Sequence, residues 1–138
     1  MTKLEDIYDE ESQEKATLIY ALVALKMTKK VYHKLPENIQ EIVDDATTYW
    51  TNNGDFEISE EQMDVHATYV SKLRGSSKKG YDINNNLEIK TVQLCLNTSI
   101  NRDFDYHVDW MYEVGSRIGF KKQKLDQLID ETIDEVNS

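Results

Sequence analysis

The side chains of this sequence that could bind a metal ion are few and widely spaced. Asp103 and His107 stand four residues apart, a spacing that places both on one face of a helix. His66, from another helix, could add a third ligand, and the three together would make a small metal-binding helical enzyme. The chain has neither a Glu-x-x-His nor a His-x-x-x-His pair, the spacings of metal sites on helices. We therefore favour the alternative in which His66 and His107 are half-buried core residues, each satisfied by a hydrogen bond.

No nucleophile stands in a catalytic pattern. The sequence lacks a Gly-x-Ser-x-Gly elbow, and its single cysteine, Cys95, is flanked by leucines as a buried apolar thiol would be. One cysteine cannot form an internal disulfide, which favours a reducing, cytoplasmic setting. Residues 75–80, GSSKKG, have the composition of an anion-binding loop but not the spacing of a phosphate-binding motif. We therefore predict that the protein is not an enzyme and binds no cofactor.

Charge is the most informative part of the composition. The chain carries 26 acidic and 16 basic residues, a net charge of −10. Residues 36–65 hold nine carboxylates and no lysine or arginine. An acidic chain repels nucleic acid, because affinity for DNA and RNA comes mostly from neutralising phosphates, but it attracts basic proteins. No stretch of 18 apolar residues occurs. The expected partner is a basic protein, with no direct nucleic acid and no membrane.

The spacing of apolar residues predicts one all-α domain over residues 1–138. With one proline and five glycines, the chain is not the turn-rich kind that forms β-sheets, and apolar residues recur at three and four positions. We predict about six helices, from Ser12 to about His33, Pro36 to Asn53, Ser59 to Gly75, over 86–99, from Asp103 to Gly119 and from Lys121 to about Val136. A Gly/Ser/Asn-rich loop near residues 75–86 joins two halves of this bundle. The short acidic segment 1–11 is expected to be mobile.

The candidate partner-binding residues are carboxylates and aromatics. A helix dipole accounts for some acidic residues as an ordinary solvated surface. It does not explain why lysine is absent over thirty residues, since like charges three or four positions apart each cost a few tenths of a kcal/mol. Aromatic side chains among these carboxylates resemble the hot spots of protein interfaces. The candidates are Asp44, Asp45, Tyr49, Trp50, Asp55, Glu57, Glu60 and Glu61 in the acidic stretch, with Tyr106 and Trp110 as a second pair.

Two further expectations concern these aromatics. Tyr49 and Trp50 are adjacent on a helix, so they cannot both face the core, and we expect one of them to be partly exposed. Tyr106 and Trp110, spaced i, i+4, share a face, with Asp103, Asp105 and Asp109 around them. Both pairs would therefore present aromatic surface among carboxylates. The residues expected to hold the fold instead are Ile39, Ile42, Val43 and Met63.

A family resemblance rests on the order of several short motifs. These are Ala46-Thr47-Thr48-Tyr49-Trp50, then Gly54, then the capped helix Ser59-Glu60-Glu61-Gln62 running through His66-Ala67. This order resembles small all-helical bacterial immunity proteins, most nearly the Imm5-type group. The resemblance implies a cytoplasmic antitoxin that binds a cognate toxin and neutralises it. An acidic helical bundle with exposed aromatics could do so by occluding a basic active site. The alternative is a phage- or plasmid-encoded acidic inhibitor that mimics nucleic acid.

Overall fold

The computed structural model describes residues 3–52, 60–76, 87–96 and 103–138, and within them the chain is helical, with no strand. The helices are α1 (Lys3–Glu10), α2 (Gln13–Thr28), α3 (Glu37–Thr51), α4 (Glu60–Ser76), α5 (Leu87–Leu94), α6 (Phe104–Arg117) and α7 (Lys122–Asn137), with a 3₁₀ helix at Tyr32–Lys34. The all-α prediction is confirmed, with seven α-helices in these residues rather than six. The expected loop lies outside the described residues beyond position 76.

The additional helix, α1, packs where we expected an acidic segment outside the helices. Leu4 and Ile7 are buried, and the ring of Tyr8 stacks on the ring of Phe104 in α6 with centroids 4.4 Å apart. Spacings of three and four residues put these side chains on one face of a short helix. The high density of carboxylates around them hides this pattern in the sequence. As a result α1 lies against α2, α6 and α7.

Helix α2 runs through the centre of the bundle and touches α1, α3, α5, α6 and α7. It begins at Ser12, whose Oγ accepts a hydrogen bond from the Lys15 backbone N–H at 3.1 Å. It ends at Thr28, earlier than predicted, and the 3₁₀ helix follows. Leu35 then adopts an extended conformation, as a residue before proline must. Nowhere in the described chain is a helix long and apolar enough to cross a lipid bilayer.

Helix α3 turns the predicted apolar face toward α2. Its buried residues are Ile39, Ile42, Val43, Ala46 and Trp50, the five positions that the helical period places on one side. The predicted inner positions Ile39, Ile42 and Val43 are confirmed, and the helix ends at Thr51 with Asn52 as its C-cap, slightly earlier than predicted. The expected stop at Asn53 and Gly54 lies outside the described residues.

Helices α6 and α7 form a close helical hairpin. Gly119, at φ 103°, ends α6, and the Phe120 N–H donates to the Gly115 carbonyl at 2.8 Å, the bond that defines a Schellman motif. A Cβ on Gly115 would lie 2.7 Å from a methyl group of Leu125, so glycine lets the two helices approach. The predicted end at Gly119 is confirmed.

Helices α4 and α5 pack on the flank of α3. His66 and Leu73 of α4 are buried and Ala67 is exposed, whereas Met63, which we expected to hold the fold, is only half-buried. The expected cap at Ser59 lies outside the described residues. At the start of α6, Asp103 has a left-handed backbone and its side chain caps no N–H. Asp103 therefore precedes α6 at the predicted position without capping it through its side chain.

Candidate protein-binding surface

The adjacent carboxylates Asp44 and Asp45 each accept a hydrogen bond from a tyrosine of a different helix. Oδ1 of Asp44 accepts a hydrogen bond from the Tyr32 hydroxyl at 2.8 Å, and Oδ2 of Asp45 accepts one from the Tyr69 hydroxyl at 2.9 Å. Successive positions on a helix point about 100° apart, so Asp44 reaches toward the 3₁₀ helix and Asp45 toward α4. Both carboxylates remain exposed. Each therefore has a structural task inside the protein, which reduces the case for a dedicated partner contact.

The aromatic pair of α3 belongs to the interior more than to the surface. Trp50 is 1% exposed, and its indole N–H donates to the Cys95 backbone carbonyl at 2.7 Å. Tyr49 is half-buried, with its ring centroid 4.9 Å from that of Trp50 and 5.3 Å from that of His66. The prediction of Trp50 as a partner-binding residue is wrong, because α4 and α5 cover the side of α3 on which it lies. Of the two aromatics, Tyr49 is the partly exposed one.

The other carboxylates of the acidic stretch separate into described and undescribed residues. Glu60 and Glu61 are exposed in the first turn of α4, where the helix dipole stabilises negative charge. Asp55 and Glu57 lie outside the described residues. Glu60 and Glu61 are thus exposed carboxylates, and no exposed aromatic side chain lies beside them among the described residues.

Helix α6 carries an exposed aromatic side chain among exposed carboxylates, a combination that the described part of the acidic stretch lacks. Tyr106 is 65% exposed, and Asp103, Asp105 and Asp109 around it are exposed as well. Trp110 is half-buried and packs against the core. We call these five residues the α6 face. The predicted exposure of Tyr106 is confirmed, whereas Trp110 presents only part of its surface.

A groove adjoins the α6 face and contains several residues that sequence reasoning missed, among them Glu5. Its volume is about 630 Å³, and it lies where α1, α6 and the start of α7 meet. Its walls include Glu5, Asp105, Asp109, Tyr112, Glu113, Ser116, Phe120, Lys121 and Lys122. Glu5 comes from α1 and is itself buried. The spacing of Leu4, Ile7 and Tyr8 is the signal that could have placed this helix, and with it Glu5, against the bundle.

Polar contacts hold the walls of this groove in place. The Tyr112 hydroxyl of α6 donates a short hydrogen bond to Asp126 of α7. Burial, reinforced by this hydrogen bond, raises the pKa of Tyr112 far above its usual range, so the phenol stays protonated. Lys3 of α1 pairs with Asp130 of α7 at 3.1 Å, although exposed pairs of this kind contribute little stability. The three helices therefore form a connected support for the α6 face.

The residues proposed as a metal triad do not come together. No group of three or more His, Cys, Asp or Glu side chains in the described part of the chain is arranged to hold a metal ion, and His66, Asp103 and His107 are all described. His107 is half-buried, and burial lowers its pKa while nearby Asp103 acts in the opposite direction. The prediction that His107 is half-buried is therefore confirmed. His66 is fully buried, and its ring nitrogens make no hydrogen bond with a described residue, so the prediction of a half-buried, hydrogen-bonded histidine is wrong at that position.

The cysteine behaves as its neighbours in the sequence predict. Cys95 is fully buried, and its thiol donates to the Val92 carbonyl at 3.0 Å. Burial raises the pKa of this thiol to about 12. Since the thiolate is the nucleophile, Cys95 is chemically inert in the folded state.

Comparisons with known proteins add no relative to this description. No family model matches the chain, and neither the curated proteins nor the solved structures contain a significant match.

Proposed function

We propose that this protein binds a basic protein and neutralises it, as an immunity protein does with its cognate toxin, and that the α6 face makes the contact. The observation that carries the proposal is the make-up of that face. Tyr106 is the exposed large hydrophobic side chain of the described residues. The side chains of Asp103, Asp105 and Asp109 surround it and form no ion pair or hydrogen bond with a described residue. These carboxylates are available to a cationic partner.

Charge and aromatic surface have different tasks in such a contact. The net charge of −10 speeds the approach of a basic partner and suppresses the approach of nucleic acid. An exposed tyrosine supplies a rigid contact area, and residues of this type often lose 2 kcal/mol or more of binding free energy when truncated, roughly a 30-fold change in Kd. Tyr106 would thus anchor the complex. The carboxylates would set its orientation and its dependence on salt.

Neutralisation by such a surface requires no chemistry from this chain. Asp105 and Asp109 lie one helical turn apart, about 6 Å along the axis, and both border the groove. They can meet two cationic groups of the partner at once. If those groups bind phosphates in a toxin that acts on nucleic acid, the complex removes them from its substrate.

The first experiment asks for the partner and for the neutralisation. The protein encoded beside this gene is produced alone and together with this chain, and cell growth is followed. We expect growth arrest by the neighbour alone and recovery on co-expression. Recovery without a complex between the purified proteins would contradict direct binding. A stable complex with a nucleic-acid enzyme of a host defence system instead would favour the acidic inhibitor.

The second experiment locates the contact with charge-matched variants. Asp105→Lys combined with Asp109→Lys changes the net charge by the same amount as Glu60→Lys combined with Glu61→Lys. All four side chains are exposed, so both variants should fold. We expect the α6 variant to weaken binding at low salt by at least tenfold more than the α4 variant. Equal losses of affinity in the two variants would show that only net charge matters. A larger loss in the α4 variant would indicate that the partner binds the acidic stretch instead.

A third variant tests the aromatic anchor separately. Tyr106→Ala removes an exposed ring without changing charge, so the salt dependence of Kd should stay as in the parent while Kd rises about 30-fold. Tyr106→Phe keeps the ring and should bind nearly as well. An unchanged Kd for the alanine variant would exclude Tyr106 from the interface.

A further inference from the structure

His66 occupies an unusual position in the core. It is 0% exposed, and neither ring nitrogen makes a hydrogen bond within the described residues. Its neighbours are aromatic rings: the centroids of Tyr49, Trp50 and Tyr69 lie 5.3, 5.8 and 6.4 Å from the imidazole centroid. A buried polar group without a partner normally costs free energy. A histidine kept in such a place invites a functional explanation.

The groups that face His66 come from each helix packed around it. Helix α3 contributes the Asp45 carboxylate and the Tyr49 phenol, and α4 itself contributes the Tyr69 phenol, which is bonded to Asp45. The Leu96 carbonyl, just after α5, also lies close enough to favour a protonated ring. Asp45 and Leu96 thus favour the imidazolium, whereas burial opposes it and is the largest effect, so the pKa of His66 is lowered.

We propose that His66 is an acid-sensitive latch, whose protonation releases α4 from α3 and α5 and uncovers Trp50. The neutral imidazole fits between the three rings, but an imidazolium there has little hydration, and this loss outweighs the favourable Leu96 carbonyl and Asp45 carboxylate. Moving α4 outward lets the charged ring reach water. The Tyr69–Asp45 hydrogen bond, which is exposed, would be broken in the same movement.

The direction of the pH effect follows from linkage. In the released state the imidazole is in water, with an ordinary pKa near 6.5. Above that pH both states hold a neutral ring, and the latch is closed with its full stability. Below it the released state binds a proton that the closed state does not, so the opening constant rises by up to tenfold for each pH unit. The rise ends at the lowered pKa of the closed state.

Hydrogen exchange measures this opening directly. Protection factors of the amides in α4 and α2 are compared at pH 7.5 and pH 5.5, after correction for intrinsic exchange rates. We expect α4 protection to fall by about tenfold at the lower pH, with α2 protection unchanged. Trp50 emission gives a second readout in a Trp110→Phe background, and it should shift to longer wavelength on acidification.

Two variants separate His66 from the other titrating groups. His66→Phe fills the site with a ring that cannot be protonated, so α4 protection should no longer depend on pH. His107→Gln removes the other histidine with a lowered pKa and should leave the pH dependence of α4 as in the parent. Parallel behaviour of the parent and His66→Phe would overturn the proposal.

An NMR titration keeps the proposal testable if His66→Phe does not fold. The imidazole signals of His66 in the parent protein should titrate below pH 6.5, because burial lowers the pKa of the ring. A pKa at or above 6.5 would show that the closed state tolerates the charge, and the latch would be excluded. The latch does not depend on the proposed contact at α6, which lies on another helix.

Discussion

Replacing Trp50 by phenylalanine should destabilise the protein strongly, because Trp50 is a core residue and not part of the surface. The side chain is 1% exposed and donates a buried hydrogen bond to the Cys95 carbonyl at 2.7 Å. Phenylalanine keeps one aromatic ring but removes the pyrrole part of the indole and leaves the carbonyl without its donor. The first loss costs about 1.5 kcal/mol in burial and cavity. The second costs about 1.5 kcal/mol.

The expected decrease in the free energy of unfolding is therefore about 3 kcal/mol, a large part of the 5–15 kcal/mol typical of a domain. Urea unfolding followed by circular dichroism at 222 nm measures it without relying on tryptophan emission. With a typical slope the midpoint should fall by about 2 M urea.

The matched control is the same exchange at Trp110, which is half-buried and donates no described hydrogen bond. Trp110→Phe should cost about 1 kcal/mol or less, because little buried volume and no described hydrogen bond are lost. If Trp50→Phe costs less than 1 kcal/mol, or no more than Trp110→Phe, the burial argument for Trp50 fails. In that case Trp50 would again be a candidate for the partner-binding surface.

Two further outcomes test the packing of the bundle. Gly119→Ala should lower the free energy of unfolding by about 1 kcal/mol or more, because a φ of 103° is strained for any residue with a Cβ. Lys30 Nζ would lie 2.7 Å from the new Cβ, but this flexible side chain can move away. Equal stability of the two proteins in urea would refute the backbone strain. Cys95 should resist a thiol reagent at pH 8 in the native state and react on unfolding, because burial raises its pKa to about 12; fast native labelling would contradict its burial.

The structure gives some carboxylates of the acidic stretch a structural role instead of a partner-binding one. Nine carboxylates without a basic residue suggested a single patch for a partner. Two of them, Asp44 and Asp45, accept hydrogen bonds from tyrosines of neighbouring helices. A lysine at either position could not accept those bonds. Part of the one-sided charge therefore has a structural cause, and the strongest case for a partner contact moves to α6.

Helical periodicity explains why the elements could be predicted. In α3, α6 and α7 the apolar positions recur at three and four residues, and Gly119 supplies a stop that few other residues allow. Where other residues obscured this apolar periodicity, the helix boundaries were predicted less well. Acidic residues concealed α1, and the end of α2 was set too late because the 3₁₀ turn before Leu35 also reads as helical.

The candidate surface could be predicted only in part, for a different reason. The exposure of a side chain depends on which other helices pack against its own helix. The sequence of one helix does not show this. Tyr106 and Trp50 are both aromatic residues on amphipathic helices, yet one is 65% exposed and the other 1%. The difference arises because α4 and α5 cover α3, while the outer side of Tyr106 has no such cover among the described residues.

The sequence by itself determined the helical class, the inner positions Ile39, Ile42 and Val43 of α3, the end of α6 at Gly119, the inert burial of Cys95 and the net charge. These are local properties, since they follow from residue type and from spacings within one or two helical turns. Only the tertiary structure decided that Glu5 joins the groove beside α6, that Trp50 lies in the core, and that His66 lies between three aromatic rings with no hydrogen-bond partner among the described residues. Those properties depend on distant segments that meet in space.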